Sequence, residues 1–182
     1  MNELILVTGG ARSGKSAFAE SLLADCACKF YLATAPVTDG EMRRRIELHQ
    51  ARRAAAHWTT LENELDLAGM LRQAAARNAD GVLVDCLTLW LNNLLYHRPE
   101  FRENDVPDAL VPVLEAARAF PGRCVMVLNE VGMGIVPETP LARTFRDVSG
   151  RCGQLVAAAA DRVYLTVCGI PVAVKPQQGA GA

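Results

Sequence analysis

The chain has 182 residues, enough for one α/β domain with a substantial buried core. Lys plus Arg number 19 and Asp plus Glu 20, so no global charge directs it to nucleic acid or a membrane surface. The six cysteines (Cys26, Cys28, Cys86, Cys124, Cys152 and Cys168) lack the paired C-x-x-C modules of a zinc site. Four of them lie in or beside apolar runs, as buried thiols of a reducing cytosol do. No apolar run reaches the ~20 residues of a membrane span and no secretory lead is visible, so the expected location is cytoplasmic.

Leu4-Ile5-Leu6-Val7 reads as a buried strand, and Ala17 to Leu23 as a helix with apolar residues at helical spacing. Between them Gly9-Gly10-Ala11-Arg12-Ser13-Gly14-Lys15-Ser16 fits the pattern G-x-x-x-x-G-K-[ST]. Glycines let such a loop turn tightly and aim backbone N–H groups at a polyphosphate, and the following helix adds its positive end. Lys15 is expected to reach the terminal phosphates and the Ser16 hydroxyl to ligate magnesium. The expected ligand is a nucleoside triphosphate.

Phe30 to Thr34 reads as a second strand, followed by the turn Thr38-Asp39-Gly40. Glu41 to Arg53 is rich in helix formers but thinly apolar, which suits a helix facing solvent or lining a site. His57 to Glu64 reads as irregular and Leu65 to Arg77 as a helix. Val82 to Asp85 is a short apolar strand ending on a carboxylate, and Thr88 to Leu95 suits a buried helix. The polar, proline-containing stretch 97–107 reads as mobile. Asp108 to Phe120 is expected as a helix and Cys124 to Asn129 as a strand, with the glycine-containing loop Glu130 to Glu138 beyond it. Leu141 to Ala160 suits a long helix interrupted near Gly150 and Gly153. Val163 to Cys168 and Val172 to Lys175 read as strands whose short link, Gly169-Ile170-Pro171, makes them antiparallel.

With no internal repeat and no dividing linker, residues 1–182 are expected to form a single nucleotide-binding domain. Strands alternating with helices imply an α/β fold, a mainly parallel sheet covered on both faces and closed by a C-terminal antiparallel hairpin. Ligands sit at the carboxyl ends of such strands, which brings Gly9–Ser16, Thr34-Ala35, Asp85-Cys86 and Asn129-Glu130 to one edge.

Asp85 is the natural partner of a magnesium held by Ser16, its alternative being a solvated turn residue. Glu130 could orient an attacking hydroxyl or an extra metal, or serve as a loop carboxylate satisfied by backbone N–H groups. Glu62 could accept the N–H donors of guanine or simply begin a helix. Of the three histidines, His57 could pack beside Trp58, and His97 lies in the polar stretch. His49 would share a helix face with Arg45 and Arg52. A neutral imidazole can attack phosphorus and hold a nucleotidyl group, and cationic neighbours disfavour its protonated form. The residues alone leave three readings open: a nucleotidyl-transferring enzyme, a simple P-loop kinase, or a nucleotide-dependent switch.

A resemblance narrows these readings. The blocks Ile5–Ser16, Tyr31–Thr34, Arg45–Arg53, His57-Trp58 and Asn129–Glu138, continued by Leu141-Ala142-Arg143 and Phe145-Arg146-Asp147, cover nearly the whole chain. In this order they resemble the bifunctional adenosylcobinamide kinase / adenosylcobinamide-phosphate guanylyltransferase family of cobalamin biosynthesis. The resemblance implies a RecA-like P-loop domain, typically a homotrimer, using Mg2+ with ATP and GTP as substrates. It further implies phosphorylation of adenosylcobinamide, then GMP transfer from GTP through a guanylyl-histidine, with release of pyrophosphate and formation of adenosylcobinamide-GDP. The family's histidine falls on His49; its nucleotide contacts fall on Gly9–Ser16, Ala33, Thr34, Ala35, Gln50, Ala51, Arg52, Arg53, Glu62 and Asp85. Two departures stand out: Leu48 precedes His49 where some members carry a second histidine, and Asp85 replaces a glutamate found in some. For the relay, the stretch 36–60 is expected to move toward the α-phosphate when GTP binds.

Overall fold

The computed structural model describes residues 2–34 and 58–176. The strands are β1 (Glu3–Gly9), β2 (Lys29–Ala33), β3 (Trp58–Glu62), β4 (Gly81–Asp85), β5 (Arg123–Asn129), β6 (Arg162–Val167) and β7 (Ile170–Lys175). The helices are α1 (Lys15–Ser21), α2 (Leu67–Ala76), α3 (Leu87–His97), α4 (Val106–Ala119) and α5 (Pro140–Ala159), with a short 3-10 turn at Glu103–Asp105. Among the described residues the strands make one sheet of order β3-β2-β4-β5-β1-β6-β7. All pairs are parallel except β6 with β7, which are antiparallel as the short link requires.

Alternate residues of each central strand enter different cores, as a pleated strand buried on both faces demands. Leu4 and Leu6 of β1, Val82 and Val84 of β4, and Cys124, Met126 and Leu128 of β5 pack on one side. There they meet Leu71 of α2, Leu91 of α3, Val113 of α4 and Val156 of α5. Ile5, Val7, Leu83, Val125 and Val127 face the other way, against Ala19 of α1 and Leu23 just beyond it. Each fully buried Leu, Ile or Val contributes about 1.5–3 kcal/mol over its exposed state, so the central strands are the best-anchored part of the fold.

Four expectations are corrected. Residues 58–62, read as irregular, form a parallel edge strand on β2. Trp58 meets Tyr31 edge-on at 6.2 Å and Leu61 packs on the larger core, while the β-branched Thr59 and Thr60 suit the pleat. The long helix α5 runs through Gly150 and Gly153 without a break. Val148, Cys152 and Val156 bury one of its faces, which outweighs the roughly 1 kcal/mol that a helical glycine costs. The stretch 97–107 is packed, because Phe101 is buried and Asp105 accepts the Arg102 backbone N–H at 2.7 Å. Three cysteines rather than four are buried, and Cys168, at the tip of the β6–β7 hairpin with φ 52, is exposed. The helix read over Glu41–Arg53 and the turn before it lie outside the described residues.

Cys86, Cys124 and Cys152 are buried. Burial pushes the Cys124 and Cys152 thiols up to about 12 and the Cys86 thiol up to about 11. Because the folded state raises these values, the benefit of a neutral thiol is complete below pH 9, the ordinary value, and fades as pH climbs toward about 12. Alkylation of the native protein at neutral pH, read by mass spectrometry, should therefore modify Cys168 and leave Cys124 and Cys152 untouched until denaturant is added. Rapid native labelling of Cys124 would contradict this packing.

Candidate nucleotide site

The glycine loop leaves β1 at Gly9 and enters α1 at Lys15. Its first glycine is required by close approach, since a Cβ there would lie 2.5 Å from the Thr166 carbonyl oxygen and 2.6 Å from Ser13 Oγ. Gly14 has φ 92, and its Cβ would come within 3.0 Å of the Gly169 Cα. The hairpin tip thus supports the loop from beneath, and the Gly169 N–H donates to the Ser13 carbonyl at 2.8 Å.

Within the loop, Ser13 N–H bonds to the Gly10 carbonyl at 3.3 Å, whereas the amides of Lys15 and Ser16 make no backbone hydrogen bond among the described residues. No side chain caps α1 either. Lys15 is only 8 % exposed, and its ammonium donates to the Gly10 carbonyl at 3.0 Å. No carboxylate among the described residues lies in ion-pair range of it. A sequestered cation beside outward amide donors is a site for an anion of high charge density.

Neighbouring strands bring further residues to the same edge. Ala33 stands in register with Glu62 on β3 and with Asp85 on β4, so these three lie side by side at the strand ends. Tyr31 Oη donates to Asp85 Oδ2 at 2.7 Å and fixes the carboxylate. Gly9 stands opposite both Asn129 and Thr166, and the Glu130 N–H donates to the Gly9 carbonyl at 2.9 Å. Glu130 Oε1 accepts the Gly132 N–H at 2.7 Å, so the backbone-satisfied role expected for a loop carboxylate is present. His97 lies 3.5 Å from Glu64 on the surface. Ala35, His49, Gln50, Ala51, Arg52, Arg53 and His57 lie outside the described residues.

Thr34 is fully buried, and its hydroxyl spans the backbone of Cys86, donating to the carbonyl at 2.8 Å and accepting the N–H at 3.1 Å. The Thr34 carbonyl in turn accepts from Asn93 Nδ2 at 2.8 Å, tying the end of β2 to α3. This clasp positions the turn that carries Asp85. Thr34→Val removes it without changing shape and strands two backbone groups, at a cost of about 1–3 kcal/mol. The expected outcome is a Tm lower by roughly 2–12 °C, with Thr34→Ser retaining most of the stability. Unchanged melting would show the clasp to be idle. Asn93 was not singled out from sequence, and Tyr31 and the hairpin link were not read as supports of the site, because their partners are remote in the chain.

The parallel sheet, glycine loop and strand-end carboxylate define a P-loop nucleotide-binding protein. A solved KaiC-like protein of Pyrococcus horikoshii shares the fold, with a TM-score of 0.54 over 90% of this chain and 70% of that chain at 13% identity. The chain belongs to the family described as cobinamide kinase / cobinamide phosphate guanyltransferase (CobU), which residues 5–174 match. It is 43% identical over 182 residues to the bifunctional adenosylcobalamin biosynthesis protein CobU of Salmonella typhimurium, covering 94% of this chain and 99% of that one. It is 47% identical over 176 residues to the bifunctional adenosylcobalamin biosynthesis protein CobP of Pseudomonas aeruginosa, covering 96% and 98%.

Proposed function

We propose that the chain is a bifunctional transferase of cobalamin biosynthesis that acts twice on the same arm of adenosylcobinamide. In the first reaction the hydroxyl oxygen of that arm attacks the γ-phosphorus of ATP or GTP, the bond to the β–γ bridging oxygen breaks, and the nucleoside diphosphate leaves. The loop amides and Lys15 hold the phosphates and offset the charge gathering on the leaving oxygens. In the second reaction a nitrogen of His49 attacks the α-phosphorus of GTP and pyrophosphate leaves; the phosphate of adenosylcobinamide phosphate then displaces His49 to give adenosylcobinamide-GDP. Gln50–Arg53 and Glu62 would contact the nucleotide in this step.

The donors at the edge fit magnesium. It prefers hard oxygens, keeps several waters and needs only one or two protein ligands beside the phosphates. The Ser16 hydroxyl and the Asp85 carboxylate, one oxygen of which is steadied by Tyr31, meet that description. When bound, Mg2+ would supply positive charge that offsets part of the charge on the phosphates. No helix among the described residues is long and apolar enough to cross a membrane, and all six cysteines are free. We place the enzyme in the cytoplasm, as one domain assembling into a homotrimer.

The buried Lys15, in ion-pair range of no carboxylate among the described residues, carries this reading. Incubation with α-labelled GTP, with and without adenosylcobinamide, tests it. Expected are an acid-labile, base-stable label on the protein and a labelled corrinoid product. Transfer of label from γ-labelled ATP but none from α-labelled GTP would reduce the protein to a simple kinase.

A further inference from the structure

On the face of the sheet opposite α1, a cavity of about 280 Å³ opens beneath α5 at the carboxyl ends of β1 and β5. It is set apart from the phosphate loop by strand β1: Thr8 lines it, and Gly9 begins the loop. Its wall on α5 is Gly150, Gly153, Gln154 and Ala157, which recur on one side of the helix. The two glycines act differently. At Gly153 a Cβ would meet Leu128 at 3.0 Å, so the missing side chain lets helix and sheet approach; at Gly150 a Cβ would meet nothing within 4 Å.

The polar groups of the cavity are unusually idle. Ser149 lines it while only 2 % exposed, and its side chain makes no hydrogen bond with the described residues. Thr8 Oγ1 is shut away from solvent with no partner among the described residues. A buried hydroxyl without a partner, as at Thr8, costs free energy that a bonding ligand recovers, and the Ser149 hydroxyl is a second donor on the same wall. Asn129 and Glu130 complete the polar side; Leu6, Leu128 and Val163 are the apolar side. Among the described residues no cation lines the cavity and one carboxylate does, so its chemistry favours a neutral group with N–H donors over a phosphate. In size it falls just below the roughly 300 Å³ at which pockets begin to enclose whole drug-sized ligands, so it suits a side arm.

We propose that this cavity is a specificity subsite for the acceptor, taking one neutral carboxamide arm of the corrin ring while the hydroxyl-bearing arm reaches the phosphate loop. The inference rests on the cobinamide reading above and deepens it. The amide N–H2 donates to Glu130 and its carbonyl accepts from Ser149, with the CH2 stem along Leu128. The loop joining the two walls, from Glu130 to Pro140, exposes Met133, Ile135 and Val136 at 77, 97 and 63 %. That apolar lip is where the flat face of the macrocycle rests. Arg143 braces it by donating to the Pro137 carbonyl at 2.9 Å.

Gly150→Leu should fill the cavity from a helical position where leucine is the better helix former. Cobinamide binding, followed by its visible absorbance in equilibrium dialysis, is expected to weaken at least tenfold, with KM for cobinamide rising in parallel and KM for GTP within twofold of wild type. Ser149→Ala should weaken it about three- to tenfold, in line with the loss of one buried hydrogen bond. Ala158→Leu, the same bulk on the exposed side of α5, is the control for altered packing. A cobinamide whose amide arms have been hydrolysed singly to carboxylates should contain one isomer that binds far worse than the rest, repelled by Glu130. Unchanged cobinamide affinity in both Gly150→Leu and Ser149→Ala, with wild type active, would overturn the subsite. Failure of wild type to bind or phosphorylate cobinamide would instead overturn the proposed function itself.

Discussion

His49→Ala is expected to abolish GMP transfer while phosphorylation of cobinamide continues. On the proposed reading the phosphate loop would serve the kinase step without the histidine, because hydroxyl attack on the γ-phosphorus needs positioning and charge stabilisation rather than a covalent carrier. The second reaction has no such alternative. Adenosylcobinamide phosphate and GTP are both anions, and a neutral nitrogen nucleophile splits one repulsive displacement into two easier ones. Removal of the ring should erase the acid-labile label from α-labelled GTP and lower guanylyl transfer by about 10⁴-fold or more, the scale on which lost nucleophiles are felt. Label retained after the substitution, or undiminished formation of adenosylcobinamide-GDP, would remove His49 from the reaction. His49→Asn, similar in size but not nucleophilic, should behave like the alanine variant.

Lys15→Ala is the second large effect, and it strikes the kinase step. Lys15 is 8 % exposed and the one described bond of its ammonium is to the Gly10 carbonyl, so its charge is available to a phosphate at low local dielectric. Deleting a single preorganised donor to developing charge costs about 10²–10³ in kcat. The expected result is a fall of that size in γ-phosphoryl transfer, together with weaker nucleotide binding in a trimmed but folded protein. Lys15→Arg should rescue little, because a planar fork does not fit where a compact ammonium sits among loop carbonyls. A variant retaining more than a tenth of wild-type kcat would place the phosphate charge elsewhere.

The parts of the site carried by consecutive residues were legible in the sequence. Gly9–Ser16 announces itself because loop, lysine and hydroxyl are neighbours in the chain, and Asp85 because it closes an apolar run. What sustains them was not legible. Tyr31 and Asp85 are separated by 54 residues, and Thr34 and Cys86 by 52, so no local period contains either bond. Among the elements, Trp58–Glu62 escaped notice because none of its residues is buried, and an edge strand lacks the apolar run of its central neighbours. Gly150 and Gly153 argued for a broken helix, but the burial of Val148, Cys152 and Val156 on the sheet decides the matter, and that is a tertiary effect. Phe101 shows the same limit in reverse: one buried ring pins a stretch whose composition suggests freedom.

The hydrogen bond from Gly169 to Ser13, with Gly14 seated against the same turn, carries a consequence for engineering the chain. The last hairpin acts as a keel for the nucleotide loop, although more than 150 positions separate the two along the backbone. Circular permutants opened between Val167 and Ile170 should lose ATP and GTP affinity even when the sheet assembles, whereas new ends at an exposed bend far from that keel should be tolerated.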